Sequence, residues 1–499
     1  MLRVSALTCS PYDEVEVNRV AHKATRRRLT ATAAGVGALA LVLAACGGST
    51  TSSGTTSAAA TSAAASGGGA ASGSAAAGGA SGDFCETIKQ NWGDLTGKTI
   101  TYYTSVGDEE KAVWLAGFKP FEDCTGATIQ WDGSKEFEAQ IKVRIASGNP
   151  PDVAAFPQPG LLNSIVNETG SVKPAPQIVS DAVDANYNEA FKGYGTVNDI
   201  FFAPPLDANV KSFVWYSPKT FTEKGYTVPT TYDELMALTQ KIATENTGAN
   251  VKPWCAGIGS GDATGWPATD WLEDYMVRLY GPEVYAQWVN HGIPFNDPKV
   301  ADALNKVGEI LKDPANVNGG YGDVASIAST TFQDGGVPIT KGQCFLHRQA
   351  SFYENFWPEG TTVAEDGDVY AFYLPAFNSN FGKPVLIGGT FLGAFTDKPE
   401  VQAFQYYVTQ PAFSDAYVAA GTNITANNKL DKSLIKSPIS KLSYDILQDP
   451  DATLVFDGSD MMPGAVGSGS LWKQLTAWIA TNQSTQATLD NVEASWPAS

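Results

Sequence analysis

Between Thr99 and Phe156 the hydrophobic period switches back and forth, and this alternation constrains the fold more than any other feature of the sequence. Thr99–Thr104 reads TITYYT, a β-branched and aromatic run with strand character. Residues 109–122 have helical spacing and residues 127–131 return to a strand. Phe137, Ile141 and Ile145 then recur at i, i+4 and i+8 on one helix face, behind Ser134 as a candidate cap. Gly148-Asn149-Pro150-Pro151 stops that helix, and residues 152–156 give a third strand. The order βαβαβ predicts a parallel sheet with helices on both faces.

The pattern resumes later. Residues 213–216 are apolar and strand-like. Thr231-Tyr232-Asp233-Glu234 is a capping box ahead of Leu235, Leu238 and Ile242, since the Thr hydroxyl and the Glu carboxylate can each take a free N–H of the first turn. Asp270-Trp271-Leu272-Glu273 has the same form ahead of Tyr275, Met276 and Leu279. Asp297-Pro298 opens a helix whose apolar face is Leu304, Val307 and Leu311. Strand-like runs follow at 371–374 and 385–395. The chain then turns mostly helical, with an amphipathic helix around Leu471–Ile479 and a short one at 485–494. Residues 83–499 are long for one domain and comfortable for two. The expected fold is α/β, in two lobes with an aromatic-rich cleft between them.

The first 82 residues follow other rules. Arg26-Arg27-Arg28, an apolar run from Ala31 to Leu43, and Leu43-Ala44-Ala45-Cys46 make a signal peptide over residues 1–45. The apolar run of about 13 residues is too short to span a bilayer, which takes roughly 20. The Cys directly after Leu-Ala-Ala resembles the lipobox of bacterial lipoproteins. That implies acylation of the Cys46 thiol, cleavage before it, and stable anchoring by more than one acyl chain. Asp13, Glu14 and Glu16 are out of place in a basic leader, so the expected start lies downstream of Met1. Arg27-Arg28 ahead of Leu29 also resembles a twin-arginine export signal. Residues 47–82 are almost only Gly, Ser, Thr and Ala. They offer no core and read as a flexible tether with a coil span of roughly 30–36 Å.

From Cys46 onward the chain carries 27 Lys and Arg against 49 Asp and Glu. That excess argues against nucleic acid and against a basic membrane-binding face, and favours a neutral or cationic ligand. Cys85, Cys124, Cys255 and Cys344 lie in the folded part, and an even number in an exported chain predicts two disulfides. Three pairings are possible. Cys85–Cys124 with Cys255–Cys344 is favoured because each bridge then closes within one half of the chain. The spacings are too long for a zinc site. Gly93–Thr99 resembles a phosphate loop but is one residue short and precedes a strand instead of following one. His291 and His347 are 56 residues apart, and no HExxH or GxSxG occurs in the folded part, which disfavours a metal site or a Ser-His-Asp triad. No cofactor is expected.

What remains is a binding inventory. Sugars present apolar faces and many hydroxyls, which flat aromatic rings and bidentate polar side chains can match. Five passages carry a family likeness by their order and spacing: YYTSVGDEEKAVWLAGFKPFEDCTG, KVRIASGNPPDVAAFPQPG, KGQCFLHRQASFYENFWPEG, GGTFLGAFTDKPEVQAFQYYVT, and SDMMPGAVGSGSLWKQLTAWIA ending in EASWP. Over about residues 95–499 the chain resembles the carbohydrate-type extracellular solute-binding proteins of ABC importers. The likeness is to the α-glucoside-binding branch and, more remotely, to maltose-binding protein. It implies a type II periplasmic-binding-protein-like fold with crossings near 204–208, 388–394 and 443–450. Lobe one would be 83–205 with 392–443, and lobe two 206–391 with 444–499. It also implies a monomer that captures a sugar, delivers it to permease subunits and does no chemistry. The lipobox and tether resemble the Gram-positive, actinobacterial form, held on the outer face of the cell membrane.

The resemblance also assigns candidate site residues. Asp108, after the first strand, would give a carboxylate to the sugar, and Lys135 a polar contact. Gln158 follows the third strand, and Asp207 stands at a hinge edge. Trp266 in Gly-Trp-Pro would be a stacking platform. Arg348 and Gln349 follow the strand-like Cys344-Phe345-Leu346, where relatives commonly have aromatic or small residues. Gly389 would allow close backbone approach, and Thr390 would bond a hydroxyl. Asp460 and Trp472 complete the set. The same frame fits a polyol, glycerol phosphate or a peptide, although a phosphorylated cargo would want more Arg and Lys than these loops hold. A surface-anchored glycosidase would instead need two carboxylates about 5–9.5 Å apart across the cleft.

Overall fold

The computed structural model describes residues 81–247, 251–320 and 322–497. The expected signal peptide, Cys46 and residues 47–80 of the expected tether lie outside the described residues. Ser81 and Gly82, expected in the tether, instead begin helix α1 (Ser81–Trp92).

The βαβαβ unit follows as β1 (Thr99–Thr104), α2 (Asp108–Thr125), β2 (Thr128–Gly133), α3 (Phe137–Ala146) and β3 (Val153–Phe156). β1 pairs in parallel with β2 on one side and β3 on the other. The strand Phe391–Ala394 closes the β3 edge in antiparallel sense, giving a four-stranded sheet. Ser134 does not cap α3. Its hydroxyl accepts the Glu136 N–H at 3.1 Å in a turn one step earlier, and Glu136 stands at the cap position. Aromatic rings knit this half together: Tyr102 meets Phe118 at 5.1 Å, and Phe118 meets Phe404 edge-on at 5.1 Å.

A second, five-stranded sheet runs Tyr370–Tyr373, Phe213–Tyr216, Cys344–Arg348, Lys252–Cys255, Val317–Asn318. The Thr231–Glu234 capping box forms at the start of the helix Tyr232–Glu245, burying Leu235, Leu238 and Ile242. The second expected box does not form. Gly265 (φ +116) and Pro267 start that helix earlier, at Trp266, so Asp270 and Glu273 lie inside it, fully buried. The helix Trp266–Val289 breaks at Gly281 (φ +81), just before Pro282.

The run 385–395, expected as one strand, is divided. Lys383–Gly388 pairs with Ala452–Phe456 and with Asn209–Val210, whereas Phe391–Ala394 belongs to the first sheet. The chain therefore passes from one sheet system to the other at Gly389-Thr390. A second crossing runs beside it: the Leu206 N–H donates to the Thr390 carbonyl at 2.8 Å, and Pro205 bridges Phe391. A Cβ on Gly389 would lie 2.7 Å from the Asp207 carbonyl, so this close approach requires glycine.

Both disulfides have the favoured pairing. Cys85–Cys124 ties α1 to α2, and Cys255–Cys344 joins two neighbouring strands of the second sheet. No helix among the described residues is long and apolar enough to cross a membrane.

Candidate functional site

A cavity of about 190 Å³ opens where loops from both sheets converge. Ser105, Lys135 and Gln158 follow β1, β2 and β3. Ser260 and Phe352 follow strands of the second sheet, and Asp457 follows Ala452–Phe456 of a neighbouring three-stranded sheet. Every one of these loops leaves the carboxyl end of its strand, which is where open α/β sheets bind ligands.

Eight of the eleven candidate residues line this cavity: Lys135, Gln158, Asp207 and Trp266, then Gly389, Thr390, Asp460 and Trp472. Three do not. Asp108 is exposed at the first position of α2, and its neighbours Glu109 and Glu110 face the cavity instead. Arg348 is turned inward with no side-chain exposure and is bonded to Asp270 and Asp274. Gln349 is also fully buried, with its side-chain oxygen accepting the Ala350 N–H at 2.8 Å. The strand Cys344–Arg348 is buried along its whole length, and its last residue and Gln349 pack inward with it instead of facing the cleft.

The polar half of the cavity is assembled locally. The Gln158 amide donates to Glu138 at 3.0 Å and leaves its own oxygen buried without a partner. Asp207 accepts the Thr390 N–H at 2.8 Å, which fixes it at the crossing. Burial pushes the Asp207 carboxyl up to about 6, against the pull of Thr390. Glu110 takes a bond from the Asn355 amide at 3.4 Å. Burial, together with the charges of Asp207 and Glu109, pushes it up to about 8.

That shift gives a signed prediction. Folded Glu110 holds its proton across the range in which an unfolded Glu has lost it, so its contribution to stability falls as pH rises from about 4.5 to about 8. Glu110→Gln should make urea-unfolding stability fall less steeply between pH 5 and pH 8 and leave the variant ahead of the parent at pH 8. Equal pH slopes in the two proteins would show that Glu110 titrates normally.

The apolar half is aromatic. Trp266 meets Phe332 at 5.0 Å and Phe352 at 6.0 Å, and Phe332 meets Phe356 at 5.3 Å. Trp266 is held there by Gly265, where a Cβ would fall 2.3 Å from the Trp472 carbonyl. Sequence reasoning missed Phe332, Phe352 and Phe356, although two of them stand in the SFYENFWPEG run that carries part of the family likeness.

It also missed Lys211, which forms the cavity floor. Its ammonium bonds Asp457, lies 3.2 Å from Asp270 and 3.8 Å from Asp460, and sits 5.5 Å over the Trp266 ring. Despite burial, these acids hold Lys211 charged, well above the ordinary Lys range. Asp457 is held low by Lys211 against its own burial. Burial and Asp457 push Asp460 well above the carboxylate range. Asp270, Glu273 and Asp457 bring carboxylate oxygens within 4.8 Å of one another, a spacing that suits a metal ion. The chain fills that role itself. Lys211 supplies the cation, and Glu273 accepts the Gly458 and Ser459 N–H groups at 2.9 Å each.

Residues 102–380 match the family described as bacterial extracellular solute-binding protein. The alpha-glucosides-binding periplasmic protein AglE of Rhizobium meliloti (strain 1021) is 36% identical over 414 residues, covering 81% of this chain and 88% of that one. The osmoprotective compounds-binding protein GgtB of Synechocystis sp. is 34% identical over 409 residues, covering 81% and 94%. Among solved structures, the bacterial solute receptor AcbH, with its exclusive substrate preference for β-D-galactopyranose, superposes with a TM-score of 0.67 at 19% identity. That match covers 80% of this chain and 98% of that one, and it shows the two-lobed type II binding-protein fold.

Proposed function

The chain belongs to the bacterial extracellular solute-binding protein family, and from that premise we propose that it captures a sugar, an α-glucoside or related oligosaccharide, and hands it to an ABC permease. One observation carries the reading. Four polar atoms in the cavity lining are buried without a protein partner: Gln158 Oε1, Asn209 Oδ1, Asn423 Nδ2 and Trp472 Nε1. They share the cavity with the Trp266, Phe332, Phe352 and Phe356 rings. Buried polar atoms are costly to leave unpaired, and a molecule with hydroxyl edges and apolar faces satisfies both walls at once. The eight candidate residues that line the cavity are its proposed ligand contacts.

The lobes would be 83–205 with 392–443 and 206–391 with 444–499, hinged at crossings near 204–208, 388–394 and 443–450. Closure then follows from a ligand that binds the closed state better than the open one. A lipid on Cys46 and the tether behind it would keep a monomeric receptor within reach of its permease. The protein would do no chemistry of its own. Glycerol phosphate fits less well, because acids outnumber cations in the lining and no Arg contributes to it.

A thermal-shift panel of α-glucosides, polyols, sugar phosphates and peptides on the purified protein tests the reading. An α-glucoside at 100 times its Kd should add about 2.7 kcal/mol of stability. A shift with phosphates or peptides and none with sugars would sink it. Released glucose on prolonged incubation would instead identify a glycosidase.

A further inference from the structure

We propose that the preferred cargo is a sugar bearing a protonated amine, seated between the Glu110–Asp207 pair and the aromatic wall. This rests on the sugar reading and narrows it. The lining contributes six carboxylates: Glu109, Glu110, Glu138, Asp207, Asp457 and Asp460. Against them stand two lysines. Lys211 is committed to Asp270 and Asp457, and Lys135 is exposed. Among the described residues no cationic side chain lies within ion-pair distance of Glu110, Asp207 or Glu138; the neighbours that bond them are uncharged, among them the Asn355, Thr390 and Gln158 amides and the Tyr417 hydroxyl.

The remaining lining atoms point the same way. Gln158 is 5% exposed and its Oε1 has no partner, and Asn209 Oδ1 is likewise free. Both are acceptors on residues that line the same cavity as the six carboxylates. A hydroxyl brings one donor, whereas an ammonium brings three donors and no acceptor, so it meets a carboxylate pair and an amide oxygen without leaving one of its own groups idle. The orphan donors Trp472 Nε1 and Asn423 Nδ2 remain for the sugar's oxygens. A cation beside Glu110 and Asp207 relieves the mutual repulsion that helps push Glu110 up to about 8.

The test is calorimetric titration with matched ligands: maltose, its 2-amino-2-deoxy counterpart, and the N-acetylated form of the latter. The amine should bind at least about tenfold tighter than maltose. Acetylation, which keeps the substituent and removes the charge, should abolish that advantage. In Glu110→Gln/Asp207→Asn the ratio of amine to maltose affinity should fall below about twofold, and the single variant Asp207→Asn should retain part of it. Because the ratio is read within one protein, a general loss of binding does not mimic the result. Equal or tighter binding of maltose, or an N-acetyl form as tight as the amine, overturns the proposal and leaves the sugar reading standing. If none of the three binds and no other sugar shifts the melt, the sugar reading itself falls.

Discussion

Arg348→Met is expected to lower the unfolding free energy by about 3–5 kcal/mol, because it strips a buried carboxylate network of one of its cations. Arg348 donates through Nε and Nη2 to Asp274 at 2.9 and 2.5 Å, and through Nη1 to Asp270 at 3.2 Å. Asp274 keeps Arg278, and Asp270 keeps Lys211, yet neither retains enough donors for its charge in a site closed to water. Burial works against ionised Asp274, and Arg278 and Arg348 are what hold it low. Urea unfolding of the parent, Arg348→Met and Arg348→Met/Asp270→Asn checks the account, with the double variant regaining part of the loss. A parent-like unfolding curve with sugar affinity reduced tenfold would return Arg348 to the ligand.

Trp266→Ala has the second large effect, on binding more than on folding. The ring is only half-buried, so its removal opens the cavity wall instead of leaving a sealed void. It stands against Phe332 and Phe352, and its loss takes away both a stacking face and the ring that orders its neighbours. Affinity for the best sugar should fall about 30-fold, equivalent to roughly 2 kcal/mol, a usual value for a central aromatic anchor. Calorimetry measures it. Unchanged affinity with a lowered melt would assign Trp266 to packing alone.

The two substitutions separate what could be seen in the chain from what could not. Gly265-Trp266-Pro267 reads as a loop carrying an aromatic; the helix begins at that Trp266, and the ring does line the cavity. Arg348 sits in an equally suggestive place, after a strand, yet points the other way. Strand position alone does not say which face is covered. Here Asp270, which read as one half of a capping box, and Asp274 on the same helix hold its guanidinium. The error at Arg348 and the error at Asp270–Glu273 are thus one error: a buried ion network read as two surface features. Asp108 was a smaller miss. Three successive acids open α2, all favoured there by the helix dipole, and a shift of one residue decides which reach the cleft. Lys211 left one usable signal, a lone cation directly ahead of the buried strand Phe213–Tyr216, where an unpaired charge would be costly.

By itself the sequence determined the βαβαβ unit, the capping box at Thr231, the disulfide-competent cysteines and the loops that meet at the cleft. Each of these rests on spacing within a few residues, or on compartment and chain half, so it survives without knowledge of the fold. Only the tertiary structure decided the cavity's charge and floor. Lys211 meets Asp270 59 positions away and Asp457 246 positions away, and Arg348 reaches Asp274 across 74. Such partners are chosen by which faces the two sheets bury, and the local pattern is the same whether a charge turns toward solvent or toward another charge.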